Sequence, residues 1–252
     1  MGARTWYWLL GVAAVLMCAY AGVYWYAWAH PWTGAAKHVL SPEARVERLV
    51  RRLGEPDDAV LDEVGRALVG IGAPAVPDLT ERLSDADPRV RWAATGTLGG
   101  IGEAAAPATP ALAERLGDDE FTVRFVAMVA FAQIGREAAP AVPALTERLS
   151  DADPQVRLLA TVALGHIGEA AAPAVPALTQ RLRDRDVTIR LRAAQTLGEI
   201  GEASAPAIPE LQLLLDDEHE QVRETAEHAL AQVRAATAEQ EHGAPRSASP
   251  AD

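Results

Sequence analysis

A valine–arginine pair returns every 33 residues along this chain: Val90-Arg91, Val123-Arg124, Val156-Arg157, Ile189-Arg190 (isoleucine for valine) and Val222-Arg223. A fixed period of this length builds a solenoid, because each unit is too small to bury its own apolar face and must stack on the next. The period predicts an all-α chain. It also moves the functional expectation from enzyme toward binding surface.

The periodic body resolves into six units near residues 43–70, 71–100, 101–133, 134–166, 167–199 and 200–234, each with two helical patterns. The first pattern opens on prolines three apart: Pro74/Pro77, Pro107/Pro110, Pro140/Pro143, Pro173/Pro176 and Pro206/Pro209. Proline suits a first helical turn, where its missing N–H would be unpaired anyway. Apolar residues follow at helical spacing, as in Val142, Leu145, Leu149 and Val175, Leu178, Leu182, and form one buried stripe. The second pattern starts at an aspartate N-cap followed by proline, Asp87-Pro88 and Asp153-Pro154. Its core face is Val90, Ala94, Leu98, Ile101 and then Val156, Ala160, Leu164, Ile167, and Gly102, Gly135, Gly168 and Gly201 end these helices. Thr97, Ala130, Ala163 and Thr196 keep the helices close. Gly99, Gly165 and Gly198 each cost roughly 1 kcal/mol against alanine in a helix interior, so their recurrence predicts a packing requirement.

The unit running from Ile134-Gly135 through Ala141-Val142-Pro143-Ala144-Leu145, Asp153-Pro154-Gln155-Val156-Arg157 and Ala163-Leu164-Gly165 resembles a HEAT repeat. It is most similar to the short HEAT-like repeats of phycobilisome lyases and many bacterial scaffold proteins. The resemblance covers residues 43–234 and implies a right-handed α-solenoid of about six helix pairs. It also implies that recurring Asp and Arg residues link neighbouring units, which assigns Asp87, Arg91, Arg124, Asp153, Arg157, Asp186, Arg190 and Arg223 to a structural ladder. The first unit departs from the pattern, with Leu61 after Val60 where arginine is expected, as suits a capping repeat. The resemblance is specific for fold and not for function.

Ahead of the repeats, Trp6 to Trp28 carries no charge, long enough to cross a bilayer core. All four Tyr and five of the six Trp lie within residues 1–32, clustered toward the two ends of this run as interfacial belts would be. The expectation is a single transmembrane anchor over residues 6–28 within a 1–32 segment, then a 33–42 linker. A cleaved signal peptide is the competing reading, with Arg4 as a thin positive region and small-x-small sites at Ala19-Tyr20-Ala21 and Ala27-Trp28-Ala29. Either reading exports the repeats. The flanking charge balance points the same way: the amino terminus and Arg4 lie on one side, while Lys37 and Glu43 cancel on the other. Residues 235–252 gain Pro, Ser and Gly and read as a disordered tail.

The chain carries 23 basic and 35 acidic residues, net −12. Such a surface repels phosphate backbones and argues against nucleic acid as a partner. Cys18 is the sole cysteine, which leaves no disulfide framework and no cysteine-based metal site. Resemblance also raises an enzymatic alternative, an accessory protein of the phycobilin lyase or deoxyhypusine hydroxylase-like class. The hydroxylases hold iron with repeated His-Glu pairs, and here only His219-Glu220 occurs, while His166 precedes Ile167. No phosphate loop, nucleophile–base set or metal-ligand cluster appears, so no catalytic residue, cofactor or metal is expected. Asp118-Asp119-Glu120 and Asp216-Asp217-Glu218 fall at inter-helix turns, where solvated carboxylates favour the helix dipole.

What remains is a surface. Counting each second helix from its Val or Ile as zero, positions +2 and +6 point away from the core at about 100° per residue. They hold Trp92, Phe125, Leu158 and Leu191 at +2, with Val129 and Val162 at +6. Asp62 and Arg66 precede this column, and Glu224 and His228 follow it. An apolar column with charged margins predicts a groove for a protein or peptide on the concave face. The competing reading packs these side chains against adjacent helices or covers Trp92 with the N-terminal segment.

Overall fold

Asp87 shows how the sequence starts each long helix. Its side chain accepts a hydrogen bond from the Arg89 amide at 2.9 Å, and Pro88 takes the first helical position. Asp153 accepts from Gln155 at 2.9 Å and Asp186 from Thr188 at 2.8 Å in the same way. Each cap satisfies an amide that the helix itself leaves unpaired. The far end is set by glycine. Gly102 lies at φ 71°, where a Cβ would strain the backbone, and Gly72, Gly135, Gly168 and Gly201 repeat that conformation.

The computed structural model describes residues 41–243, Pro56 excepted. The expected membrane helix over 6–28, nearly all of the 33–42 linker and the end of the tail lie outside the described residues. The helices are α1 (Pro42–Arg51), α2 (Asp58–Ile71), α3 (Val76–Arg82), α4 (Pro88–Ile101), α5 (Thr109–Glu114), α6 (Phe121–Ile134), α7 (Val142–Arg148), α8 (Pro154–Ile167), α9 (Val175–Arg181), α10 (Val187–Ile200), α11 (Ile208–Leu213) and α12 (Glu220–Gly243). No strand occurs among the described residues. The repeat stack is therefore an all-α solenoid.

The paired prolines divide their work. Pro107, Pro140, Pro173 and Pro206 sit inside 3-10 segments that lead into the short helices, while Pro110, Pro143, Pro176 and Pro209 occupy the first α-helical turn. The first helix of each unit is thus a tight lead-in followed by a short α-helix, because a second proline three residues on cannot donate to an ongoing helical ladder. The long helices α2, α4, α6, α8, α10 and α12 stack directly on one another. The short helices meet their neighbours mainly through the 3-10 lead-ins.

Between the two layers runs one continuous core. Val142, Leu145 and Leu149 are buried, as are Val175, Leu178 and Leu182, and the Ala94, Leu98, Ala160 and Leu164 positions are fully enclosed. Alanines of the 3-10 segments, among them Ala105, Ala138, Ala171 and Ala207, join that core with no accessible surface. Their small side chains let one repeat seat against the next at van der Waals distance.

Two expectations need correction. α12 continues as helix to Gly243, past the expected start of a disordered tail at 235. Val233 is buried and Thr237 bonds back to the Val233 carbonyl at 2.7 Å, and the Ala-, Glu- and Gln-rich run that follows has high helix propensity. The ladder also uses other acids than expected. Asp87, Asp153 and Asp186 are N-caps, and the carboxylates that bridge repeats are Asp118, Asp184 and Asp217, which receive Arg91, Arg157 and Arg190 from the unit before. Asp118 is accordingly buried rather than solvated. Arg124 and Arg223 stay within their own turns, donating to the carbonyls of Asp118 at 2.6 Å and Asp217 at 2.7 Å.

Candidate functional site

The outward side of the long helices is uneven. Trp92 is 45% exposed and Phe125 is 41% exposed, while Leu158, Leu191, Val129 and Val162 are half-buried, with Leu191 packed against the core. The column therefore opens at α4 and α6 and closes toward α8 and α10. Isobutyl and isopropyl groups are short enough to settle between adjacent helices, whereas an indole or a phenyl ring reaches beyond them.

Sequence reasoning missed two members of this face. Phe121 is also exposed and stands one turn before Phe125, with ring centroids 6.2 Å apart and planes tilted by 47°. The Arg124 guanidinium lies 5.6 Å from the Phe121 ring centre, within cation–π range. The i, i+4 spacing of the two phenylalanines was the available signal. Val69 of α2 is exposed next to Trp92 and carries no mark in the sequence beyond its apolar type.

Between α2 and α4 lies a cavity of about 570 Å³, lined by the apolar side chains of Leu61, Val69 and Trp92 together with Gly65, Ala93 and Gly96. Asp62 and Arg66 stand at its edge, paired at 2.9 Å and largely exposed. An exposed pair of this kind contributes little to stability, so either partner is free to exchange. At the other end, between α10 and α12, lies a smaller polar hollow lined by Gln195, Glu199, Glu224 and His228. Gln195 donates to Glu199 at 2.8 Å.

The remaining candidate chemistry is dispersed. His166, His219 and His228 are exposed, and His219 faces Asp217 and Glu218 at 3.4 Å each. Among the described residues no three of His, Cys, Asp and Glu converge as a metal site would require. The ladder carboxylates are perturbed. Burial pushes the Asp118 and Asp184 carboxyls up, but the hydrogen bonds from Arg91 and Arg157 and from backbone amides outweigh it and hold both below the usual carboxylate range. Hydrogen bonding from Arg190 does the same for Asp217. These carboxylates are held ionised by the arginines that bridge the repeats, and Asp217 also lies beside His219.

Comparison with known proteins agrees with the architecture. The family model for HEAT repeats matches residues 46–132, 109–191 and 142–231. No curated protein matches the chain. Among solved structures, an engineered protein is 24% identical with a TM-score of 0.60, over 76% of this chain and 97% of that one. A designed armadillo repeat protein in complex with the peptide (KR)4 is 22% identical with a TM-score of 0.58, over 75% and 99%. The archaeal HEAT-like repeats protein from Thermococcus onnurineus NA1 is 14% identical with a TM-score of 0.55, over 78% and 81%. At these identities the likeness to solved structures speaks for fold alone.

Proposed function

This chain belongs to the HEAT-repeat family, and from that premise we propose that it is a non-catalytic scaffold whose long-helix face holds a protein or peptide partner. One observation carries the reading: two large aromatic side chains, Trp92 and Phe125, stand exposed at the same register on consecutive repeats. A monomeric surface gains nothing from leaving an indole and a phenyl ring in water, whereas buried aromatics dominate the energy of protein interfaces. The long helices stack directly on one another, and on this reading the face they share is the inner, concave side. The designed armadillo protein, similar in fold, is seen with a peptide, which supports the same use of such a face.

The uncharged, aromatic-bordered run over residues 6–28 supports a membrane-tethered scaffold with the repeats on the exported side. Chemical cross-linking in native membranes followed by mass spectrometry tests both parts. The expected product joins the solenoid to one predominant neighbour from the exported compartment. Replacing Trp92, Phe125 and Leu158 with Ser should abolish that product while helical circular dichroism persists. An unchanged product would overturn the groove reading, and a cytoplasmic neighbour would overturn the orientation.

A further inference from the structure

Two of the residues that line the cavity between α2 and α4 are glycines, Gly65 and Gly96. At the register of Gly96 the later repeats carry Val129, Val162, Gln195 and His228, and at the register of Gly100 they carry Gln133, His166, Glu199 and Gln232. Glycine weakens a helix interior, so it persists where something needs the room. For Gly99 the need is internal, because Ala130 stands in the way of any side chain. At Gly100 a Cβ would meet Val69 at 2.9 Å. Gly65 and Gly96 differ. The nearest atom a Cβ would meet is 3.5 Å away at each, an ordinary contact, and neither has the positive φ that demands glycine. Neither the fold nor the packing requires these two glycines, yet both line the cavity together with Trp92.

We infer that this cavity receives a bulky apolar side chain at one end of an extended, basic peptide segment, stacked on Trp92. The inference rests on the groove reading and names its occupant. A volume of about 570 Å³ bounded by Leu61, Val69 and Trp92 accommodates an aromatic or leucine side chain with its flanking backbone. Charge sets the rest. The chain carries a net −12, so a second copy is repelled and a cationic segment attracted. Glu199 and Glu224 line the polar hollow between α10 and α12, with Glu224 at the register of Trp92. From α4 to α12 is four helix steps, roughly 35–40 Å at typical interhelical spacing, which a dozen or so extended residues span. The anchor therefore lies about a dozen residues from the Lys or Arg residues that meet those glutamates.

The test uses a library of linear 16-residue peptides displayed on phage and selected on the immobilised full chain. Enriched peptides should carry Trp, Phe or Leu near one end and Lys or Arg toward the other. Their synthetic versions should bind the Gly96→Val chain about tenfold or more weakly than the unsubstituted one. Gly96→Val installs the residue that α6 and α8 already carry, so its unfolding midpoint should not fall. Gly65→Ala, a single added methyl on the same cavity lining, guards against a folding defect and should weaken binding in the same direction. Enrichment of acidic peptides, or self-association of the chain through Trp92, would overturn the inference. Peptides that lose binding to Phe125→Ser yet bind Gly96→Val normally would overturn the cavity's role and leave the groove standing. Peptides indifferent to both substitutions, or no enrichment, would overturn both.

Discussion

Gly99 in α4 lies so close to Ala130 in α6 that a Cβ at position 99 would stand 2.9 Å from the Ala130 Cα and Cβ. The same approach recurs between Gly198 and Ala229, where the distance to Cα is 3.1 Å. At these two glycines successive long helices touch backbone to backbone, whereas at Gly165 a Cβ would meet the Thr196 hydroxyl at 2.9 Å. Gly99→Ala should therefore destabilise the protein by about 1–3 kcal/mol through overpacking, despite alanine's better helix propensity. Gly70→Ala, where nothing lies within 4 Å, should instead stabilise by about 0.5–1 kcal/mol. Urea unfolding midpoints of the two variants check both signs. Equal shifts in the same direction would refute the packing account.

The arginine ladder predicts unequal costs for one substitution made at equivalent positions. Arg157 reaches across 27 residues to Asp184 with Nε and Nη2 both at 3.0 Å, and the Asp184 side chain is almost wholly buried. Arg157→Ala leaves that buried carboxylate only the longer contact from Arg181 at 3.4 Å and the Asp186 amide, at a cost of about 3 kcal/mol for breaking a buried pair. Arg124 donates to carbonyls of its own turn and leaves the equivalent Asp151 to Arg148, 3.8 Å away. Arg124→Ala should cost about 1 kcal/mol, the worth of ordinary hydrogen bonds. In a repeat array the first change weakens a nearest-neighbour interface. Denaturant unfolding of Arg157→Ala should therefore broaden as well as shift.

Acid should release the same ladder. Asp118, Asp184 and Asp217 titrate below their ordinary value when folded. Such a group adds stability that is fully present above its unfolded pKa, near about 4, and is lost as pH falls through the folded value. The stability gap between the unsubstituted chain and Asp184→Asn should hold steady from neutral pH down to about 5 and then close as pH drops below about 4. Thermal melts across that range measure it. A gap independent of pH would mean that Asp184 acts by shape rather than charge.

Much of this architecture was legible because it repeats. A period of 33 residues, Asp-Pro helix starts and Gly ends fixed the long helices, since each signal depends on neighbours in sequence. The ladder's acid was not legible in the same way. Asp151 and Asp153 lie two residues apart in one turn, and only the fold reveals which caps a helix and which position faces the preceding repeat. The groove was half legible. Helical phase placed Trp92 and Leu191 alike at +2, but exposure depends on side-chain length and on what the adjacent repeat covers. The cavity was invisible, because Gly96 and Gly65 come to line one space only when α4 is laid on α2.

Two phenylalanines on one helix give the groove its sharpest internal control. In α6, Phe131 has no accessible surface and Phe125, six residues earlier, is 41% exposed. Residue type, helix and repeat are shared, so a difference between them reports environment. Phe131→Ala removes a fully enclosed ring and leaves a cavity, which costs about 3–5 kcal/mol. Phe125→Ala removes a ring that still touches water and its Phe121 neighbour, and should cost about 1 kcal/mol, the scale of an exposed aromatic pair. Guanidinium unfolding of the two variants in the full chain compares them directly. If Phe125→Ala approaches the cost of Phe131→Ala, the ring is core, and a face made of core side chains has nothing left to offer a partner.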